Sequence, residues 1–340
     1  MRIAFVLQGI GASAAALLCI SRILQRHPQL LHSPQPFHPL FKTRRIAHRG
    51  GNIKHPENTL AAFETALAVV DMIELDIWLT RDGHVAVLHD GTFSRVCGGA
   101  EGHVHDVDYC ALPRVAPAGN GGSGTHAIPL LADVLDLVAR LGKAALIEVK
   151  SGSTRVELLL QQVYEMVSAR GLGRQCLWFS LDSAINDAMH RFSDRCVSAN
   201  MPALPTVSSA THVMLILLAH LTGVLPFLPM RRRFVLGITA MPAFAFKGDG
   251  PVPFANVLPL PRRLLVLAAS RFFGEGGLLY DPSLCAHMRA RGVPIWCLGI
   301  SASDGGTTLR MGLRCGMTAA ISDDPEWLGT VPDDSFARLR

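Results

Sequence analysis

Apart from one long loop, the chain from Arg44 to Phe192 alternates between short apolar runs and longer segments whose apolar residues recur at helical spacing. That alternation constrains the fold more than any other feature. Met72 to Leu79, Val85 to Leu88, Ala144 to Val149 and Gln175 to Phe179 have the length of strands. Pro56 to Val70, Pro129 to Leu141, Thr154 to Ala169 and Asp182 to Phe192 read as helices. Strand, helix and strand in repeated order build a parallel sheet with crossover helices, an α/β architecture. After Phe192 the pattern blurs, and Val197 to Asn200, Phe234 to Thr239, Pro294 to Leu298 and Thr318 to Ser322 compete for the remaining strand places. A chain of 340 residues would by length alone suggest two domains, yet α/β barrels of about 250 residues form one.

The polar residues gather at the ends of the early strands. Ile46 and Ala47 stop at His48, Arg49, Gly50 and Gly51, so a strand delivers an imidazole and a guanidinium into a tight turn. Glu57, Asn58 and Thr59 open the next helix, with Asn58 or Thr59 as its N-cap. Alternation along Met72 to Leu79 then places Glu74, Asp76 and Trp78 on one face and Ile73, Leu75 and Ile77 on the other. Arg81-Asp82-Gly83 is a turn signal, and the run after it ends at His89 and Asp90. Further on, Glu148 and Lys150 share one face of the strand that closes with Val149.

In order and spacing, His48-Arg49-Gly50, Pro56-Glu57-Asn58-Thr59, Glu74-Leu75-Asp76, Thr80-Arg81-Asp82-Gly83 and His89-Asp90 resemble the glycerophosphodiester phosphodiesterase family. The likeness continues through Leu146 to Lys150 and ends near Ile321 to Pro325, covering residues 44 to 330, and is closest to the membrane-associated lysophospholipase D branch. It implies a TIM (β/α)8 barrel. It also implies that Glu74, Asp76 and Glu148 bind a metal and that His48 and His89 act as general acid and base. Two places depart from the pattern and bear on the shape of the head-group pocket: Gly299 stands where asparagine is usual after Trp296, and Asp323-Asp324-Pro325 has an aspartate where an aromatic residue is common.

The chemistry of the residues agrees with that implication. Phosphodiester hydrolysis requires charge neutralisation and proton management, and three carboxylates are a hard oxygen set suited to one divalent cation, Mg2+ or Ca2+. Arg49 can fork onto a phosphate, Lys150 can meet it as a point charge, and the two histidines titrate near neutrality. Glu57 and Asp90 are expected to orient neighbours, and Asn58 and Trp296 to lie near the pocket. Taken singly, each of these residues would be an ordinary surface or structural side chain. Their value lies in the ordered set.

Two apolar runs suggest a membrane. The uncharged run Ile3 to Ile20, followed by Arg22 and Arg26, is read as an anchor, with a cleaved signal or a targeting presequence as alternatives. Val213 to Met230, ahead of Arg231-Arg232-Arg233, is read as an insertion that docks in one leaflet rather than spanning, or else as a buried helix covering the barrel. Phe244 to Phe273 is assigned to the same insertion. A hydrophobic content of 49% beside 17% charged residues fits membrane contact. The net charge of +5 suits an anionic surface or a phosphate substrate, and equally an ordinary basic protein. The eight cysteines are scattered and read as mostly buried thiols.

The expected organisation is an anchor over residues 1–26, a linker over 27–43, a catalytic barrel over 44–330 with an apolar insertion around 208–273, and a tail over 331–340. The expected activity is a lysophospholipase D that gives lysophosphatidic acid and a head-group alcohol. Hydrolysis of water-soluble glycerophosphodiesters to glycerol 3-phosphate is the first alternative, and a silent membrane scaffold the second. The expected partners are the substrate and membrane lipids, with no nucleic acid and no inferable protein partner. An intracellular membrane such as the endoplasmic reticulum is the expected location.

Overall fold

The computed structural model describes residues 16–17, 19–36, 38–116, 126–150, 152, 155–230, 234–239 and 280–338. Eight parallel strands form a closed ring: β1 (Arg45–Ala47), β2 (Met72–Leu79), β4 (Ala144–Val149), β5 (Cys176–Phe179), β6 (Thr206–Val207), β7 (Phe234–Thr239), β8 (Ile295–Leu298) and β9 (Ala319–Ser322). Closure comes from β1, which pairs with both β2 and β9. One further strand, β3 (Val85–Val87), is antiparallel and hangs on the outer half of β2. Among the described residues, helices α1 (Leu60–Leu67), α2 (Leu131–Leu141), α3 (Val156–Ala169), α4 (Ser183–Ser198), α5 (Ala210–Leu221), α6 (Pro282–Ala290), α7 (Thr307–Cys315) and α8 (Pro325–Gly329) accompany the ring. This is the TIM barrel expected from the alternation and the resemblance.

Apolar side chains fill the barrel in two layers. Ile46, Met72, Leu146, Leu177, Val235 and Trp296 point inward and form a dry interior. Outside the ring, residues of β2, β4 and β5 pack on α1 to α4, and residues of β7, β8 and β9 pack on α5 to α7. The local signals behave as physical chemistry requires: the Thr59 hydroxyl accepts from the Ala62 amide at 3.2 Å and caps α1. Asp182 caps α4 in the same way. Six of the eight cysteines are buried, and all eight are free thiols.

Four expectations need correction. Val197 to Asn200 is no strand, because α4 runs on to Ser198 and a turn follows; Phe192 and Cys196 carry its buried face while Val197 is exposed. The missing strand is the two-residue β6. Residues 27–43 are not a loose linker. Short 3-10 turns at Pro28–Leu30 and Pro39–Lys42 fold that segment against the barrel, and Leu40 and Phe41 plug its interior from the end where the strands begin.

Finally, the first half of the supposed insertion is the barrel's own β6-α5-β7 unit. On α5, Ile216 and Leu217 are buried, whereas Leu215, Leu218 and Leu221 are each more than half exposed. The helix is apolar all round, so periodicity could not tell its inner face from its outer one. Arg231 to Arg233, the Gly119 to Gly124 tract, Phe244 to Phe273 and most of the Ile3 to Ile20 run lie outside the described residues. Among the described residues, no helix is long and apolar enough to cross a membrane.

The turn after β1 packs closely against α1. Gly50 has φ +76°, and a Cβ there would lie 2.8 Å from Phe63 Cδ1 and 3.0 Å from the Phe63 backbone nitrogen. Gly83 has a similar φ of +87° but open space around it. Gly50→Ala is therefore expected to cost about 2 kcal/mol or more and Gly83→Ala about 1 kcal/mol, compared by urea unfolding. Equal losses would show that packing against α1 does not constrain the turn.

Candidate active site

The period of a strand builds the centre of the site. Along β2, Ile73, Leu75 and Ile77 face the helix layer, which turns Glu74 and Asp76 toward the barrel axis. Strand β4 lies alongside in a register that sets Glu148 opposite Asp76. The three carboxylates are buried, and oxygen atoms of all three lie within 4.8 Å of one another. They sit toward the ends where the strands finish, the end at which barrel enzymes build their sites.

Their surroundings are cationic and specific. Lys150 Nζ lies 3.0 Å from Glu148 Oε1 and 3.3 Å from Asp76 Oδ1. Asn58, held in the left-handed region at φ +56°, donates from Nδ2 to Asp76 Oδ2 at 2.8 Å. Arg49, also left-handed at φ +53°, donates its backbone N–H to Glu74 Oε2 at 3.0 Å. Its Nε lies 3.5 Å from Asp76 Oδ2, and its Nη1 donates to Glu57 Oε1 at 3.2 Å. Even so, Asp76 Oδ1 and Arg49 Nε lack a well-formed hydrogen bond, although both are buried. A buried carboxylate oxygen that meets only the Lys150 charge, beside two other carboxylates, fits a hard divalent cation.

The two histidines are built alike. His48 Nδ1 is 2.6 Å from Asp323 Oδ1, and His89 Nδ1 is 2.6 Å from Asp90 Oδ1. Each ring is thus fixed through Nδ1, leaving Nε2 as the free atom; His48 Nε2 lies 4.0 Å from Glu74 Oε2. Burial disfavours the charged form of His48, but the Asp323 hydrogen bond and the Glu74 charge outweigh it and raise its pKa. For His89, burial prevails, aided by Lys150 and Arg49, and its pKa is lowered.

Most of the predicted residues therefore come together: His48, Arg49, Glu57, Asn58, Glu74, Asp76, His89, Asp90, Glu148 and Lys150 form one connected cluster. Trp296 does not join it. Its ring belongs to the dry interior with Phe41, Ile46 and Met72. Asp323 is a residue that sequence reasoning left without a role; the fold makes it the partner of His48. The signal was present in the two aspartates ahead of Pro325, but pairing across 275 positions of sequence is visible only in the fold.

Burial and the Asp76 charge push Glu74 up to about 8, and burial pushes Glu148 up to about 7. Asp76 goes the other way: burial would raise it, but Lys150, His89 and Arg49 hold it down. A carboxyl raised in the folded state lends stability that is fully present below its unfolded pKa and is lost as pH rises through the folded value. The metal-free protein should therefore lose melting temperature as pH climbs from about 5 to about 9, and a bound cation should reverse the loss. Scanning calorimetry with and without Mg2+ is expected to show a gap that widens through neutrality. A gap independent of pH would exclude these carboxylates as the ligands.

Comparison with known proteins agrees with this geometry. Residues 48–177 match the Glycerophosphoryl diester phosphodiesterase family. "Lysophospholipase D GDPD1" of Rattus norvegicus is 30% identical over 289 residues, covering 82% of this chain and 83% of that protein. Among solved structures, the glycerophosphoryl diester phosphodiesterase domain of Rv2277c from Mycobacterium tuberculosis superposes with TM-score 0.59 at 16% identity, over 87% of this chain and 98% of that one. A phosphodiesterase of Oleispira antarctica, solved with its product sn-glycerol-3-phosphate, gives TM-score 0.51 at 18% identity over 84% and 94%. At these identities the solved structures speak for the fold alone. With fold, carboxylate cluster and sequence similarity in agreement, the chain belongs to the glycerophosphoryl diester phosphodiesterase family of phosphoric diester hydrolases, and its likeness to the lysophospholipase D members extends over most of its length.

Proposed function

We propose that this protein is a lysophospholipase D that requires one divalent cation, Mg2+ or Ca2+, and cleaves the head-group side of a lysophospholipid to give lysophosphatidic acid and an alcohol. The observation that carries the reading is the buried carboxylate trio flanked by two aspartate-held histidines. A cation held by Glu74, Asp76 and Glu148 would neutralise charge on the phosphate oxygens. Arg49 and Lys150 bind the phosphate, the first through its planar fork and the second as a compact charge. His48 and His89 hold and move protons at Nε2, one taking a proton from the attacking water and the other giving one to the head-group oxygen, whose bond to phosphorus breaks as the new one forms. Cleavage of soluble glycerophosphodiesters to glycerol 3-phosphate is the second reading, supported by the glycerophosphoryl diester phosphodiesterase family match itself.

Membrane attachment is part of the same proposal. The run from Ile3 to Ile20 is the anchor, and the location is an intracellular membrane such as the endoplasmic reticulum. The reading is supported by Leu17, Ile20 and Ile23 in the first described segment and by the outward leucines of α5, all of them exposed. After a carbonate wash the full chain should stay with cell membranes; recovery in the wash would overturn attachment through this run.

The deciding assay compares lysophosphatidylcholine with glycerophosphocholine, each with Mg2+, Ca2+ or EDTA, and with His48→Ala as control. Metal-dependent choline release from the lysolipid is expected; release from the soluble diester alone would select the second reading. Glu148→Gln, which removes a ligand charge at nearly constant volume, should lower turnover about 100-fold or more with the fold intact by circular dichroism. Full activity of that variant at saturating metal would remove Glu148 from the site.

A further inference from the structure

The loop after β3 brings in a guanidinium that the ordered motif does not include. Arg95 Nε donates to Asp90 Oδ2 at 2.5 Å, while Nη1 and Nη2 donate to the two Glu57 oxygens at 3.0 and 2.7 Å. Asp90 holds His89 through its other oxygen, and Glu57 Oε1 also accepts from Arg49. The result is one unbroken chain: His89, Asp90, Arg95, Glu57, Arg49. It joins a histidine to the guanidinium assigned to the phosphate.

We propose that Arg95 is a positioning residue for the hydrolysis, a single guanidinium that fixes His89 and Arg49 relative to each other by bridging their two carboxylate partners. The inference rests on the roles given above to His89 and Arg49. Only a planar fork with five donors can bridge two carboxylates in this way, so lysine is a poor replacement. Charge balance supplies the second argument. Arg49 faces both Glu57 and Asp76, and it can serve a phosphate only if Glu57 is satisfied elsewhere. Arg95 satisfies it. Burial would raise both Glu57 and Asp90, but the Arg95 hydrogen bonds help to hold both pKa values down, so the bridge stays ionised on both sides.

The backbone that carries Arg95 does not depend on the bridge. Phe93 is 1% exposed in a small core with Trp78, Leu88, Cys97 and Val104. The loop is further tied by the Thr92 to His103 pairing and by the Cys97 amide donating to the Phe93 carbonyl. The Arg95 side chain, in contrast, is 46% exposed, so a small cation from solvent can reach its place once it is removed.

The test measures steady-state hydrolysis of lysophosphatidylcholine and glycerophosphocholine by Arg95→Ala, Arg95→Lys and His89→Ala at saturating metal. Arg95→Ala should keep the wild-type melting temperature and lose about 10- to 100-fold in kcat. Methylguanidinium added to the assay should restore several-fold of that loss in Arg95→Ala and nothing in His89→Ala. Arg95→Lys should recover less than the added guanidinium does. An Arg95→Ala enzyme within two-fold of wild type, beside an inactive His89→Ala, overturns the inference and leaves the site reading standing. Loss of activity with a lowered melting temperature and no rescue also overturns it, because the bridge would then be only a structural tie. A fully active His89→Ala overturns the site reading and this inference together.

Discussion

Three ionisable carboxyls packed within 4.8 Å of one another are the constraint around which the rest of the molecule is arranged. At an effective dielectric of about 20, two full charges at that separation repel by about 3 kcal/mol. Removing each charge from water adds a further cost. The chain meets this with fixed counter-charges and donors rather than with solvent: Lys150 between two of the carboxyls, the Arg49 amide on the third, and the Asn58 amide on Asp76. Two of these donors need backbone that ordinary residues avoid, since Arg49 and Asn58 both have positive φ. The barrel makes that arrangement affordable, because β1 and α1 are pinned on either side of the turn they share.

The same arrangement explains why some of the site was legible in sequence and some was not. Glu74 and Asp76 were readable because strand periodicity alone puts alternate residues on one face, and Glu148 with Lys150 for the same reason. The histidines were readable as residues at strand ends. Asp323 and Arg95 were not, because each acts through a contact whose partners are far apart along the chain or on an irregular loop. Trp296 was misplaced: the motif around it is an interior strand, and its ring fills the barrel instead of the mouth.

At the level of fold, the first half of the barrel was legible and the second half only in part: the runs at Phe234–Thr239, Ile295–Leu298 and Ala319–Ser322 are strands as expected, whereas the strand before them was missed for a physical reason. Strands β2 and β4 are long, buried on both faces and bounded by clear turns. Strand β6 is two residues long and leaves no periodic trace, so the helix after it looked like an inserted lipid-binding segment. Segment 27–43, rich in proline and histidine, reads as a linker because its order comes from burying Leu40 and Phe41 and not from any repeat of its own.

That plug has a mechanical consequence. The first described segment is fastened where the strands begin: Ser21 donates to the Gly223 carbonyl at 2.5 Å, Gln25 meets His220, and the Gln25 carbonyl pairs with the His287 ring. The floor of the barrel is thus held twice by one N-terminal stretch, from the side by Ser21 and Gln25 and from within by Leu40 and Phe41. The carboxylates lie toward the opposite ends of the strands, so loosening this stretch would reach them only through the strands themselves.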